Sequence, residues 1–306
     1  MMTEGAFRRY AHAAGANREI ALLDVAQDYV LEYMRRSDLF EETLIFKGGT
    51  ALRKYVFGAS GRFSVDLDFA LRSDDPTDAD LVLDLLDGAE FAGVRITLER
   101  RRGMAAMLRL DTPLGPIVES AAVSIRPQRP WLPPRERAPQ PFDFLDRGLI
   151  PEFQRAPLPV LDPREMAAEK IAAFWRRHAA RDLYDLDHLG QVLQVDFDGP
   201  SIAELAALKI YFDVMDEGLG SLPDRLDQVF GGPVDIVVGA TDLGRFGAAD
   251  TDITSLLTRC ARRYAALAGL AGEAAQLVTM GTARDRRRAV RLLEEVTARL
   301  ADTPVG

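Results

Sequence analysis

The sequence predicts an α+β protein, with an N-terminal lobe on a mixed sheet over residues 1–160 and an α-helical C-terminal lobe over residues 161–306. Three observations carry this prediction. The apolar run Leu44–Phe46 stops at Gly48-Gly49, and Leu52 and Val56 then recur at helical spacing, which reads as strand, tight turn, helix. Ser64 to Phe69 alternates polar and apolar without a break, the pattern of a half-buried strand. From Asp162 onward the spacing turns helical. A strand, a helix and then several strands form an α+β layer, not a regular βαβ repeat.

Residues up to about Gly15 are mostly small or polar and read as a fraying terminus. Between Asn17 and Arg36, Ile20, Leu23, Val30, Leu31 and Met34 roughly keep helical spacing, giving a packing helix ahead of the first strand. After the alternating strand, Asp74 to Asp80 is a polar turn, and Ala79 to Ala89 reads as a helix with Leu81, Leu85 and Leu86 inward. Val94–Glu99 and Ala105–Leu110 read as neighbouring strands joined through Arg100 to Gly103, and Ile117–Ile125 as a further strand. Arg126 to Pro141 is rich in proline and arginine and reads as an extended surface loop. Pro157–Val160 is a short edge strand that closes the lobe.

Asp162 then caps a helix, Pro163 suits its first position, and Glu165 completes a capping box. This helix carries Met166, Lys170, Ile171 and Phe174. Others follow over about Ala180–Leu193, Ile202–Met215, Asp252–Leu267 and Arg284–Leu300, separated by glycine-rich breaks. No repeat of fixed period interrupts the pattern.

Composition bounds the chemistry. The chain is 47% hydrophobic and 28% charged, ordinary for a globular protein, and its net charge of −9 argues against a wholesale nucleic-acid coat. It leaves room for an enzyme that grips RNA through a local basic patch. Cys260 is the only cysteine, which excludes an intramolecular disulfide framework and a cysteine zinc cluster. His12, His178 and His188 are too scattered to suggest a histidine metal site. Met1 to Arg9 lacks an apolar signal core, and no run approaches the length of a membrane span, so a reduced, cytoplasmic protein is expected.

Two glycines between a strand and a helix let backbone N–H groups approach a ligand beside a helix start, an arrangement that suits phosphate. Ser64, Asp66 and Asp68 share one strand face, with Val65, Leu67 and Phe69 on the other. Two carboxylates so close repel each other unless a cation lies between them, and hard oxygen ligands suit magnesium or manganese. The bland alternative is a solvated acidic strand after an ordinary turn. The order and spacing of the two features together favour a triphosphate cradle beside a metal site.

Gly48-Gly49 followed by Ser64-Val65-Asp66-Leu67-Asp68 resembles the polymerase-β-type nucleotidyltransferase fold. The longer strings Phe46-Lys47-Gly48-Gly49-Thr50-Ala51-Leu52-Arg53 and Arg62-Phe63-Ser64-Val65-Asp66-Leu67-Asp68-Phe69 resemble the AbiEii/AbiGii family, the toxin halves of type IV toxin–antitoxin and phage-defence systems. Lys170, followed by Arg181-Asp182-Leu183-Tyr184-Asp185-Leu186, resembles that family's later motifs, and the resemblance spans Leu44 to Leu189. It implies a metal-dependent nucleotidyltransferase whose site lies in a cleft between the two lobes. Asp66 and Asp68 would hold the metal, and Gly48, Gly49, Ser64 and Lys47 the phosphates, with Arg53 a further phosphate ligand. Lys170 would neutralise the leaving pyrophosphate, and Asp185 would orient Lys170 or the nucleotide, or act as base. Asp182 either pairs with Arg181 or orients its helix. Relatives of this type often carry a third carboxylate on a later strand; here the site either works with two or takes Glu119.

Basic residues gather at Arg100 to Arg102, in the loop of Arg126, Arg129, Arg135 and Arg137, and along Arg284, Arg286, Arg287, Arg288 and Arg291. Each is either a solvated face or a contact for RNA phosphates. The resemblance implies a toxin acting with a nucleoside triphosphate on the 3′ end of transfer RNA, with a cognate antitoxin encoded nearby. A protein hydroxyl as acceptor, and an inactive nucleotide-binding module, are the alternatives.

Overall fold

The alternating stretch becomes a central strand of a nine-stranded mixed sheet. The computed structural model describes residues 2–118, 121–140, 156–192, 200–232, 235–238, 252–279 and 285–301. Its strands are β1 (Leu44–Lys47), β2 (Leu67–Leu71), β3 (Glu90–Phe91), β4 (Val94–Arg102), β5 (Ala105–Thr112), β6 (Gly115–Pro116), β7 (Ala121–Arg126), β8 (Arg135–Arg137) and β9 (Leu158–Val160). They run β3-β4-β5-β7-β2-β1-β9-β8, with β6 paired to β5. β1 is antiparallel to β2 and parallel to β9, while β2 is parallel to β7.

Described residues up to 130 and from 134 to 161 form one unit; residues 131–133 and those from 162 onward form another. In the first unit, helices α1 (Glu4–Ala13), α2 (Arg18–Arg36), α3 (Leu39–Glu42), α4 (Gly48–Leu52) and α5 (Thr77–Leu86) accompany the sheet. A wider π-helical turn, Arg53–Phe57, continues α4.

The terminus is folded, not frayed. Thr3 caps α1 at the Ala6 N–H, and Phe7 and Tyr10 are buried against Leu22, Val25 and Tyr29 of α2. α5 is turned from the expected face: Leu86 is buried as expected, but Leu81 and Leu85 are exposed, at 66% and 42%, and Ala79, Val82 and Leu83 join Leu86 in the core. The latter four keep the i, i+3, i+4, i+7 spacing of a core stripe, which outweighs the leucines between them. β9 is an interior strand between β1 and β8, not an edge, and β8 lies inside the arginine- and proline-rich loop. β4 and β5 extend past their expected ends, to Arg102 and from Ala105 to Thr112.

The second unit is helical: α6 (Pro163–Arg177), α7 (Ala180–Val192), α8 (Pro200–Met215), α9 (Gln228–Gly231), α10 (Ile253–Arg263), α11 (Ala265–Ala268), α12 (Glu273–Thr279) and α13 (Arg286–Ala301). Asp162 caps α6 at the Arg164 N–H, with Pro163 in the first turn. Glu165 does not close a capping box. Its carboxylate accepts from the Trp131 and Leu132 N–H groups at 3.0 and 2.8 Å and from Lys209 at 2.8 Å. α8 buries Ile202, Leu205, Leu208, Ile210 and Tyr211 and packs on α6, α12 and α13, as an apolar central helix must. Among the described residues no helix is long and apolar enough to cross a membrane.

Candidate active site

Strand parity sets the site. Phe63, Val65, Leu67 and Phe69 are buried, so Ser64, Asp66 and Asp68 fall on the opposite face, each half-buried. The strand proper begins at Leu67, yet the alternation holds through the extended residues before it. β7 lies alongside and fixes both carboxylates. The Ala122 N–H donates to Asp66 Oδ1 at 3.1 Å, and the Ser124 hydroxyl donates to Asp68 Oδ1 at 2.5 Å. Lys47 stands directly opposite Asp68 in the β1–β2 register.

The glycines are there for clearance. Gly48 has φ +80°, and a Cβ on it would collide with the Asp68 carboxylate and lie 2.8 Å from Asp68 Cβ. A Cβ on Gly49 would come within 2.7 Å of both Ser64 Oγ and Arg62 Nη2. A side chain at either position would fill the space between the turn and the acidic strand face. Thr50 ties the turn to that strand by donating to the Asp66 carbonyl at 2.5 Å.

This donor set fits a hard divalent cation: two carboxylates two residues apart, each anchored through one oxygen, beside a cradle kept open by glycine. Among the described residues, no group of three or more acidic, histidine or cysteine side chains is placed to hold a metal. Ala122 and Ser124 occupy the β7 positions beside the pair. Glu119 lies outside the described residues.

Arg53 is placed away from solvent, at 2% exposure. Its Nε donates to Asp24 Oδ1 at 3.0 Å, its guanidinium lies 3.7 Å from the centre of the Phe63 ring, and it also donates to the Gly61 carbonyl. Lys54 donates to the Asp24 carbonyl at 2.7 Å and to Asp28 at 3.1 Å. Tyr10 of α1 donates to Asp24 as well. The expected phosphate ligand is instead a brace that holds the segment leading into Ser64. Gln27, fully buried, adds a second brace by donating to the Ser64 and Val65 carbonyls at 3.1 and 2.8 Å. These supports were missed in the sequence, although Asp24, Gln27 and Asp28 stand at i, i+3 and i+4 in the otherwise apolar stretch Ile20–Leu31 of α2. Polar residues repeated on one buried helix face are the signal that marks them.

In the helical unit, Lys170 reaches Asp185 at 2.7 Å and Asp182 at 3.5 Å. Asp182 is fully buried and also accepts two bonds from Arg177, at 2.7 and 2.6 Å. One lysine thus faces two carboxylates, of which the closer is Asp185.

The basic residues divide sharply. Arg129 pairs with Asp74, Arg286 with Asp216, and Arg288 with Glu273. Arg126 is exposed at the end of β7, and Arg287 is exposed on α13. Arg284 lies outside the described residues.

The chain is similar to known proteins. The family model of the nucleotidyl transferase AbiEii toxin, type IV toxin–antitoxin system, matches residues 32–228. MenT4, a nucleotidyltransferase toxin from Mycobacterium tuberculosis H37Rv, is 30% identical and superposes with a TM-score of 0.83, over 94% of this chain and 98% of that one. JHP933 from Helicobacter pylori is 17% identical over 87% of this chain and 95% of its own, with a TM-score of 0.36, too distant to inform the site. No curated protein matches the sequence.

Proposed function

We propose that this chain, which belongs to the AbiEii family of nucleotidyltransferase toxins of type IV toxin–antitoxin systems, transfers a nucleoside monophosphate to the 3′ hydroxyl of a transfer RNA. The acceptor oxygen bonds to the α-phosphorus as the bond from that phosphorus to the β-phosphate bridge breaks. Pyrophosphate leaves, and the hydroxyl gives up its proton. The modified RNA no longer serves translation, and growth stops until a cognate antitoxin intervenes. The reaction belongs in the cytoplasm, where both substrates are found.

The observation that carries this reading is the Asp66–Asp68 pair, fixed by β7 and faced by a turn that only glycine fits. Asp66 and Asp68 would hold magnesium or manganese. A cation there supplies compensating charge to the phosphates and acidity to the attacking hydroxyl. Gly48 and Gly49 leave room for the β- and γ-phosphates, Ser64 offers them a hydroxyl, and Lys47 adds a positive charge. The roles of Lys170, which balances charge on the leaving pyrophosphate, and of Asp185, which orients it, rest on the resemblance of their motif.

Purified protein with a divalent cation, offered each of the four α-labelled triphosphates with and without total transfer RNA, tests the reading. Label should enter RNA with one triphosphate preferred. Asp66→Ala should fold and lose at least about 10²–10³ in rate, the usual cost of removing one electrostatic stabiliser. Label entering protein and not RNA would replace the acceptor; full activity in a folded Asp66→Ala protein would remove the site.

A further inference from the structure

One site carboxylate, Asp68, belongs to a row that crosses the sheet. The strand registers place Lys47 opposite Asp68, Asp68 opposite Ser124, Ser124 opposite Ala105, and Ala105 opposite Arg102. Directly paired residues show their side chains on one face. Lys47, Asp68, Ser124 and Ala105 are half-buried, and Arg102 is exposed. Three strand spacings of about 4.7–4.9 Å separate Asp68 from Arg102, roughly 14–15 Å along the row.

Arg102 holds its place in the row because β4 carries a bulge. Glu99 pairs with Met107 and Arg102 with Ala105, so Arg100 and Arg101 together oppose Ala106 alone. Arg100 takes a left-handed backbone, φ +50°, which is costly for a side chain of its size. The extra residue shifts the alternation by one. Arg101 turns to Asp80 and Asp84 of α5, at 2.5 Å each, and Arg102 returns to the face of the carboxylates.

Nearby arginines of this hairpin are already neutralised. Arg95 pairs with Glu90, and Arg109 lies between Glu99 and Asp111. Arg100 and Arg102 are exposed and form no ion pair with any described residue. Two guanidinium groups at a hairpin tip, unpaired among the described residues, one of them in register with Asp68 and the other beside it in the bulge, suit a polyanion that extends away from the candidate metal site.

We propose that the β4–β5 hairpin tip, through Arg100 and Arg102, is where the acceptor RNA strand is held, gripping its phosphates while its 3′ end lies at Asp66 and Asp68. This rests on RNA being the acceptor. At about 3.4 Å per stacked nucleotide, the strand reaches the tip roughly four nucleotides from its 3′ end. Single-stranded RNA follows such a line because its backbone is not tied to a partner strand.

The test uses the full chain and a twelve-nucleotide single-stranded RNA with a free 3′ hydroxyl, measured by filter binding across salt concentrations. The variant is Arg100→Gly with Arg102→Gln; glycine keeps the left-handed backbone and relieves its strain, so folding is preserved. Its RNA affinity should fall, and its log–log salt slope should flatten by about 1.4, two single-strand phosphate contacts at about 0.7 each. Magnesium–triphosphate binding should stay at the parent level, and Arg95→Gln should leave the RNA slope unchanged. A variant slope equal to the parent's overturns the hairpin assignment while RNA remains the acceptor. A parent that binds triphosphate but no RNA overturns the RNA reading and the assignment with it.

Discussion

Asp24 lies in the interior with two cations beside it. Burial alone would raise its pKa, but the adjacent Arg53 and Lys54 charges outweigh that and hold it well below the usual carboxylate range. Such a group contributes stability fully above its unfolded pKa, about 3.9, and loses that contribution as pH falls toward the folded value. Asp24→Asn should therefore cost roughly 3–5 kcal/mol at pH 7, because buried Arg53 loses the Asp24 carboxylate and Lys54 keeps only Asp28 of its two. Urea melts should show the gap between parent and variant narrowing as pH drops below about 4. A gap constant with pH would mean that packing, not charge, explains the loss. The same residue limits what a sequence conveys. The spacing of Asp24, Gln27 and Asp28 is visible in the chain, but Arg53 and the Ser64 carbonyl lie some 29 and 37 positions away. Local periodicity holds no information about a partner at that distance.

At the scale of elements, legibility followed the strength of the period. The stretch from Ser64 to Phe69 was readable because an unbroken two-residue alternation admits one choice of inner face. α5 was misread in part because Leu81 and Leu85 drew attention from the better-spaced stripe of Ala79, Val82, Leu83 and Leu86. The β4 bulge was not readable, since a one-residue insertion leaves the composition of both strands unchanged. In the helical unit, α7 and α10 are held by Tyr264 donating to the Leu186 carbonyl at 2.9 Å and by Arg259 on Asp187 at 2.9 Å. Cys260 sits between them, fully buried, with its thiol pushed up to about 12 chiefly by burial. Only the thiolate reacts, so labelling at pH 8 should be at least about 10³-fold slower than for a free thiol. Leu183→Ala, which removes a fully buried side chain at a cost of about 2–5 kcal/mol, should speed labelling. Equal rates in parent and variant would mean that the thiol is reached without parting these helices.

For the whole molecule, charge restricts what it holds. A chain of net charge −9 repels extended polyanions except where arginines are left unpaired. Binding to random duplex DNA at about 0.15 M salt should be weaker than the 10⁻⁴–10⁻⁶ M typical of nonspecific DNA binders. Electrophoretic mobility shifts with a random duplex check this, and micromolar retention would point to a basic surface beyond the hairpin. A sequence reports net charge faithfully but not its pairing. In the basic run from Arg284 to Arg291, Arg286, Arg288 and Arg291 each meet a carboxylate, and Arg287 is exposed.

Gly48 has a genetic consequence. A culture in which this toxin halts growth selects for cells that escape it. Most missense changes elsewhere in the gene leave activity or abolish folding, and an unfolded product is degraded. Every single-base change that alters a glycine codon and encodes another amino acid adds a Cβ, which at this position strikes the Asp68 carboxylate across the turn. Survivors that still accumulate full-length, folded toxin should therefore carry alleles at codon 48 more often than at codons for glycines facing open space, such as Gly88 or Gly103.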